Sequence, residues 1–288
     1  MGAGERRLTV VDAAPRLAGV LGQPIAHSLS PVLHRAAYAS LGLDWDYQAY
    51  EVGEDALEGF LASMTAEWAG LSLTMPLKVT ALPMMDFVEP MAKLVGGVNT
   101  VLVQRVASGR NLVGANTDVQ GVTRALAEGG CTRSTQAVIL GGGATATSAM
   151  AALGHLGATA PVVVVRHRAR AGGLMRAATK MGVEPRFVSF DDAPHYLAQA
   201  DAVVSTIPAD AGARVADSLT TVADAAVLLD VVYDPLVTPL AHRWVELGGT
   251  RVGGERMLLH QAAEQVRLMT GSSAPVEVMD TALQHALA

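Results

Sequence analysis

The 288-residue chain is 50% hydrophobic and 17% charged, with a formal net charge of −6; that balance excludes a disordered chain and argues against a general nucleic-acid surface. Its length allows two medium domains, each with a core of its own. A single cysteine, Cys131, permits no intramolecular disulfide, and no apolar run nears the ~18 residues of a membrane span.

The opening Met1–Arg7 carries charges without a signal-peptide core behind it, and Arg6 stands where an N-myristoylation signal needs serine or threonine. A cytoplasmic protein with a loose N-terminal extension is expected. Ala18–Ile25 reads as a first strand. Ser30 before Pro31 then predicts a helix start, with Ser30 as cap, running to about Leu41 and stopping at Gly42. Ser28 and Ser30 lie beside a positive helix end, where two hydroxyls can hold a small carboxylate. Capping alone accounts for Ser30 but leaves Ser28 and His27 unexplained. Asp44–Val52 alternates aromatic and polar residues as a second strand, followed by an amphipathic helix from Glu54 to Thr65.

Trp68–Thr74 is a third strand that cannot pass into helix until after Met75-Pro76. Thr74 and Lys78 therefore fall near a strand's carboxyl end, where open α/β sheets hold their ligands. The plain alternative for Lys78 is a solvated surface charge. Beyond a loop with Pro83 and Pro90, the runs Gly96–Val103 and Asn111–Asp118 predict a hairpin turning at Ser108-Gly109. The hairpin delivers Asn99, Thr100, Asn116, Thr117 and Asp118 to element ends, just before a helix over Val119–Glu128. By itself Asp118 reads as the N-cap of that helix.

Ala137–Leu153 is an apolar strand that breaks on Gly141, Gly142 and Gly143 and resumes as a small-residue helix. Gly141 supplies a tight turn, Gly143 lets the backbone approach a pyrophosphate, and Ala146 allows close helix–strand packing. The ligand's negative charge would rest on the helix N-terminus. Three successive glycines also make a merely flexible turn. The next strand, Ala160–Val165, ends in Arg166-His167-Arg168 with Arg170 close behind, where a nicotinamide-binding unit places the group that reads the adenosine ribose. Guanidinium groups suit a phosphate rather than a free hydroxyl, so the dinucleotide implied is NADP rather than NAD; the alternative is a solvated basic turn. The alternation continues through a helix to Met181, a strand over Val183–Phe190, a helix over Asp192–Gln199 and a strand over Asp201–Ser205. A ligand-facing loop follows at Ser205–Pro208, then a strand at Val227–Val232, a helix at Thr238–Leu247, a short strand at Thr250–Val252, and helices at Glu255–Met269 and Pro275–Leu287. Met257 and Met269 read as core, and the scattered histidines suggest no metal site.

In this order, Gly22–His34, Leu73–Lys78, Gly97–Thr100, Gly114–Gly121, Leu140–Thr145, Asp230–Leu240 and Gly254–Gln261 resemble the motifs of the shikimate dehydrogenase family, across nearly the whole chain. The resemblance implies a two-domain α/β fold: an N-terminal α/β substrate domain, an NADP-binding Rossmann domain, and C-terminal helices packing back on the first domain. It assigns residues 1–117 and 254–288 to the substrate domain and 118–253 to the NADP(H) domain. It implies reversible NADPH-dependent reduction of 3-dehydroshikimate to shikimate, with Lys78 and Asp118 as the catalytic pair. Ser28 and Ser30 take the substrate carboxylate, Thr74, Asn99 and Gln261 the ring hydroxyls, and Tyr233 lies near the substrate. Gly141, Gly142, Gly143, Ala144 and Thr145 hold the pyrophosphate, Arg166 the 2′-phosphate, and Val231 and Gly254 flank the nicotinamide; no metal is implied. The partner is a small molecule, not nucleic acid or membrane, and the protein a monomer or homodimer.

The sequence departs from the family pattern at Arg35 and Ser72, where asparagines are usual, at Val165, where a polar residue is usual, and at Ala144, which replaces a fourth glycine. An ammonium ~3 Å from a developing alkoxide stabilises it and then donates a proton, which is the chemistry Lys78 offers. A quinate or aminoshikimate dehydrogenase would keep Lys78 and Asp118 and change the ring substituent read by Ser72, Thr74, Asn99 and Gln261. A non-catalytic NADP-binding sensor would be expected to lose Lys78 or Asp118, and this chain has both.

Overall fold

The computed structural model describes residues 14–107 and 109–288, with the side chain of Arg170 left aside. The expected N-terminal extension, Ser108 of the hairpin turn and the Arg170 side chain lie outside the described residues. The chain begins with β1 (Arg16–Gly22), α1 (Ser30–Ser40), β2 (Trp45–Glu51), α2 (Glu54–Ser63) and β3 (Trp68–Leu73). β1 lies between β2 and β3 and is parallel to both, so α1 and α2 serve as crossovers. After α3 (Leu77–Thr80), β4 (Phe87–Val88) and α4 (Pro90–Val95), the hairpin β5 (Thr100–Val106) and β6 (Gly109–Ala115) extends the sheet to six strands in the order β2-β1-β3-β5-β6-β4. β5 runs antiparallel to both β3 and β6.

α5 (Asp118–Glu128) carries the chain into a second sheet. Its elements are β7 (Ala137–Leu140), α6 (Ala144–His155), β8 (Val162–Val164), α7 (Gly172–Met181), β9 (Arg186–Val188), α8 (Ala193–Leu197) and β10 (Ala202–Ser205), then α9 (Ala209–Ser218), β11 (Val227–Asp230), α10 (Pro239–Glu246) and β12 (Thr250–Gly253). The order is β12-β11-β10-β7-β8-β9, with every pairing parallel. Every residue of β7, β10 and β11 is buried, the apolar runs as helices covering both faces require, and the polar strand ends Ser205 and Asp230 along with them. The order reverses between β7 and β10, and the crevice at their carboxyl ends is where a doubly wound sheet takes a ligand.

α11 (Gly254–Thr270) and α12 (Val276–Leu287) return to the first sheet. Leu259, Ala262, Val266, Met279 and Leu283 share one core with Leu33, Ala37 and Tyr38 of α1. Each such leucine or valine contributes roughly 1.5–3 kcal/mol by leaving water. Arg256 on α11 ties the junction together: its guanidinium reaches Glu128 of α5 through Nε at 2.6 Å and NH2 at 2.8 Å, and Asp280 of α12 through NH1 at 2.6 Å.

Four features differ from the sequence reading. α4 is a helix where a loop is expected. α4 starts on Pro90 and closes on left-handed Gly96, with φ of 69°. The strand expected over 183–190 contracts to β9, Arg186–Val188. Ser30 does not cap α1, because Leu29 is already in the αR region and Ser30 is the first helical residue. Asp118 is likewise inside α5, behind Thr117, and its carboxylate is committed elsewhere.

Candidate active site

β1 and β3 end side by side. Thr74 N–H donates to Leu21 O at 2.9 Å, and Gln23 N–H to Met75 O at 3.0 Å, which fixes the loops bearing Ser28 and Lys78 at one sheet edge. Val98 N–H donates to Lys78 O at 2.7 Å and brings Asn99 beside them. Here the two sheets face each other across a cavity of about 310 Å³. From the first half of the chain Ser28, Ser30, Thr74, Lys78 and Asn99 line it, joined by Asp118 at the start of α5 and Gln261 on α11. From the second half come Thr145, Val231 and Tyr233, and Gly254 closes the far side. Every substrate and catalytic position expected from sequence thus opens on one space, and His27 lines it as well.

Lys78 Nζ donates to Asp118 Oδ2 at 2.6 Å. Both side chains are largely withdrawn from water, at 14% and 4% exposure, so this pair is not a solvated surface contact. The other oxygen, Asp118 Oδ1, accepts from Asn99 Nδ2 at 2.7 Å. The Asn99 amide is oriented by its own carbonyl, which accepts Thr117 N–H and the Thr100 hydroxyl, each at 2.8 Å. Asp118 therefore has its two oxygens engaged by different donors, at the N-terminal end of α5 where a negative charge is favoured.

Behind the cavity wall the polar groups continue inward. Gln265 Nε2 donates to Thr100 Oγ1 at 3.0 Å and to Asn99 O at 3.2 Å. Its Oε1 accepts from Ser72 Oγ at 2.7 Å and meets His34 Nε2 at 3.2 Å. Tyr47 Oη donates to Ser72 Oγ at 2.6 Å. Burial pushes the Tyr47 phenol up, against the pull of hydrogen bonds to Ser72 and Ser30, so it stays protonated. Ser72, one of the departures from the family pattern, thus lines the cavity with its hydroxyl engaged by Tyr47 and Gln265. Arg35, another, turns outward to an exposed pairing with Asp46 at 3.8 Å. Burial, with Asp234 adding to it, also raises the Tyr233 phenol, which leaves it a hydrogen-bond donor at neutral pH.

A second cavity, of about 290 Å³, sits at the β7–β10 crevice. Gly141, Gly142, Gly143 and Arg166 line it, with Phe190 and the loop at Thr206. Gly141 has φ of 113°, and a Cβ there would strike Thr206 Oγ1, so both the turn and the packing require glycine. A Cβ on Gly143 would meet nothing within 4 Å: the backbone is bare on the side a ligand would approach. α6 begins at the next residue with no side-chain cap and no acid in its first turn, leaving its N–H groups for an anion. Arg166 is exposed at the rim. These residues fit a dinucleotide carrying a pyrophosphate and a further phosphate. Ala144 lies outside this cavity, on the side facing α4 and α7, and Thr145 turns into the first cavity. Val165 packs against the core and also lines this second cavity, giving it an apolar wall beside Arg166.

Sequence reasoning missed Gln265, whose only signal is its place four residues after Gln261 on the same helical face. It also missed the lining contributed by Met257, Leu258, Ile25 and Phe190, whose apolar side chains carry no signature.

Three sequence-family patterns match the chain in turn. They are described as the shikimate dehydrogenase substrate binding domain over residues 20–101, shikimate / quinate 5-dehydrogenase over 123–231, and the shikimate 5′-dehydrogenase C-terminal domain over 254–284. A shikimate dehydrogenase (NADP(+)) of Methanopyrus kandleri is 35% identical over 286 residues, covering 96% of this chain and 97% of that one. The crystal structure of Mycobacterium tuberculosis shikimate dehydrogenase superposes with a TM-score of 0.85 at 42% identity, covering 94% of this chain and 100% of the other. That of the Thermus thermophilus shikimate 5-dehydrogenase, in complex with NADP(H) and shikimate, superposes at 0.78 with 32% identity and covers 94% and 100%. Among the described residues no helix is long and apolar enough to cross a membrane, and none form a metal-binding cluster of His, Cys, Asp and Glu.

Proposed function

The chain belongs to the shikimate dehydrogenase family, and from that premise we propose that it catalyses the reversible NADPH-dependent reduction of 3-dehydroshikimate to shikimate. The observation that carries this reading is the Lys78–Asp118 pair, 2.6 Å apart and shielded from water, facing a space lined by hydroxyl and amide groups. Residues 1–117 and 254–288 form the substrate domain and 118–253 the NADP(H) domain. The protein works in the cytoplasm as a monomer or homodimer.

Ser28 and Ser30, beside the start of α1, hold the substrate carboxylate. Thr74, Asn99 and Gln261 hydrogen-bond the ring hydroxyls, and Tyr233 donates from the opposite wall. Gly141, Gly142, Gly143, Ala144 and Thr145 receive the pyrophosphate, Arg166 the 2′-phosphate, and Val231 and Gly254 flank the nicotinamide, which when bound supplies a hydride to the carbonyl carbon. Lys78 stabilises negative charge growing on the carbonyl oxygen and gives it a proton; in the oxidative direction it takes that proton back. Asp118 aims the ammonium and balances its charge, and Asn99 in turn fixes Asp118. Discrimination among ring substituents arises because an analogue lacking a hydroxyl strands a buried donor or acceptor.

Lys78→Ala tests the assignment. Because the ammonium acts mainly on the transition state, kcat should fall by roughly 10²–10⁴ while the shikimate KM moves little. Undiminished turnover would remove Lys78 from the chemistry.

A further inference from the structure

On α9, Ala211, Arg214, Val215 and Ser218 recur at the spacing that places residues on one helical face. That face lines a cavity of about 510 Å³ together with Arg166, Phe190 and Asp191. Arg166 and Phe190 also line the cavity at the glycine turn, so the two spaces join at Arg166. Both Arg166 and Arg214 are exposed, and no hydrogen bond or ion pair within the described residues occupies either guanidinium. The remaining charge in this lining is Asp191, which a pair of guanidiniums outweighs.

We infer that Arg214 is a second specificity-determining residue for the dinucleotide, pairing with its ribose 2′-phosphate together with Arg166, which lines the same cavity. The inference rests on the assignment of Arg166 to that phosphate. Two planar guanidiniums on different elements can each offer paired donors to the three oxygens of one phosphate, which a single arginine cannot saturate. Phe190, half-buried in the lining of the same cavity, supplies an apolar flank for the adenine. Ala211 and Ser218, one turn to either side of Arg214, are small enough to leave room for the nucleotide.

The test is fluorescence titration of NADPH and NADH with the wild type, Arg214→Ala, Arg214→Lys and Arg166→Ala, with circular dichroism to check folding. Arg214→Ala should weaken NADPH by roughly tenfold or more and NADH by less than about twofold, as loss of a charge-assisted bond to the extra phosphate requires. Arg214→Lys should recover most of the loss, and the loss should shrink at high salt. If Arg166→Ala weakens NADPH and Arg214→Ala leaves it within about twofold, Arg214 has no such role. If Arg214→Ala weakens NADPH and NADH alike, its contact is with the base or pyrophosphate and the inference is overturned. A wild type that binds NADH as tightly as NADPH, unaffected by Arg166→Ala, overturns the assignment of Arg166 and this inference with it.

Discussion

His34 makes the stability of this protein acid-sensitive in a way that can be worked out in advance. The imidazole is 0% exposed, stacked on Tyr47 with ring centroids 4.0 Å apart. Its nitrogens meet only neutral groups, Tyr38 Oη and Gln265 Oε1, each at 3.2 Å. Burial, partly offset by the Gln265 acceptor, holds its pKa down at about 3 against an ordinary 6.5. The unfolded chain thus takes up a proton below the ordinary value that the folded chain refuses until about 3. This contribution to stability is fully present above the unfolded pKa and lost as pH falls toward the folded one. One unit of pKa difference corresponds to about 1.4 kcal/mol, so at about pH 5 His34 removes about 2 kcal/mol relative to neutral pH. Urea unfolding of the wild type and of His34→Asn measures it, because asparagine does not titrate and the other groups are common to both proteins. The variant should be the less stable at about pH 7.5, and the gap should narrow by about 2 kcal/mol at about pH 5. A gap that stays constant to within about 0.5 kcal/mol would refute the argument.

Gln265→Met keeps the volume but leaves two buried donors without acceptors, the Ser72 hydroxyl and His34 Nε2–H, while Asn99 O retains Leu73 N–H at 2.7 Å. At roughly 1–3 kcal/mol per stranded group, urea unfolding should show a loss of about 2–5 kcal/mol; a loss below about 1 would mean the network adds little. Gly254→Ala would drive a methyl into the Val231 carbonyl, moving the wall assigned to the nicotinamide. A destabilisation of roughly 1–3 kcal/mol with a raised KM for NADP is expected, and a variant normal in both would show that the contact relaxes freely.

Much of the site is legible in sequence because its groups sit at element ends marked by strong punctuation. Pro76 stops β3 just before Lys78, and Gly141 stops β7 just before the phosphate turn. Capping logic misleads at Ser30 and Asp118 for one physical reason. The residue before each, Leu29 with ψ of −1° and Thr117 with ψ of −7°, already has a helical backbone, so the hydroxyl or carboxylate is displaced one position into the helix and freed for other partners. α9 is hidden because its buried face is Gly212, Val215 and Ala216, side chains too small to give a visible apolar period, while Gly212 lowers helix propensity. Its burial comes from tertiary packing, since a Cβ on Gly212 would sit 3.4 Å from Leu240 Cβ. Arg214 is hidden with it. Gln265 escapes because a glutamine on a long helix reads as solvated surface until α11 is seen to pack under β5.

The most direct test of the proposed activity is to follow dihydronicotinamide absorbance while the protein oxidises shikimate or quinate, with NADP or with NAD. Rapid turnover with shikimate and NADP, and far slower turnover with the other three pairs, is the expected result. Turnover that favours quinate or NAD would contradict the reading of the pocket or of Arg166, and no turnover with any pair would contradict the catalytic assignment of Lys78 and Asp118.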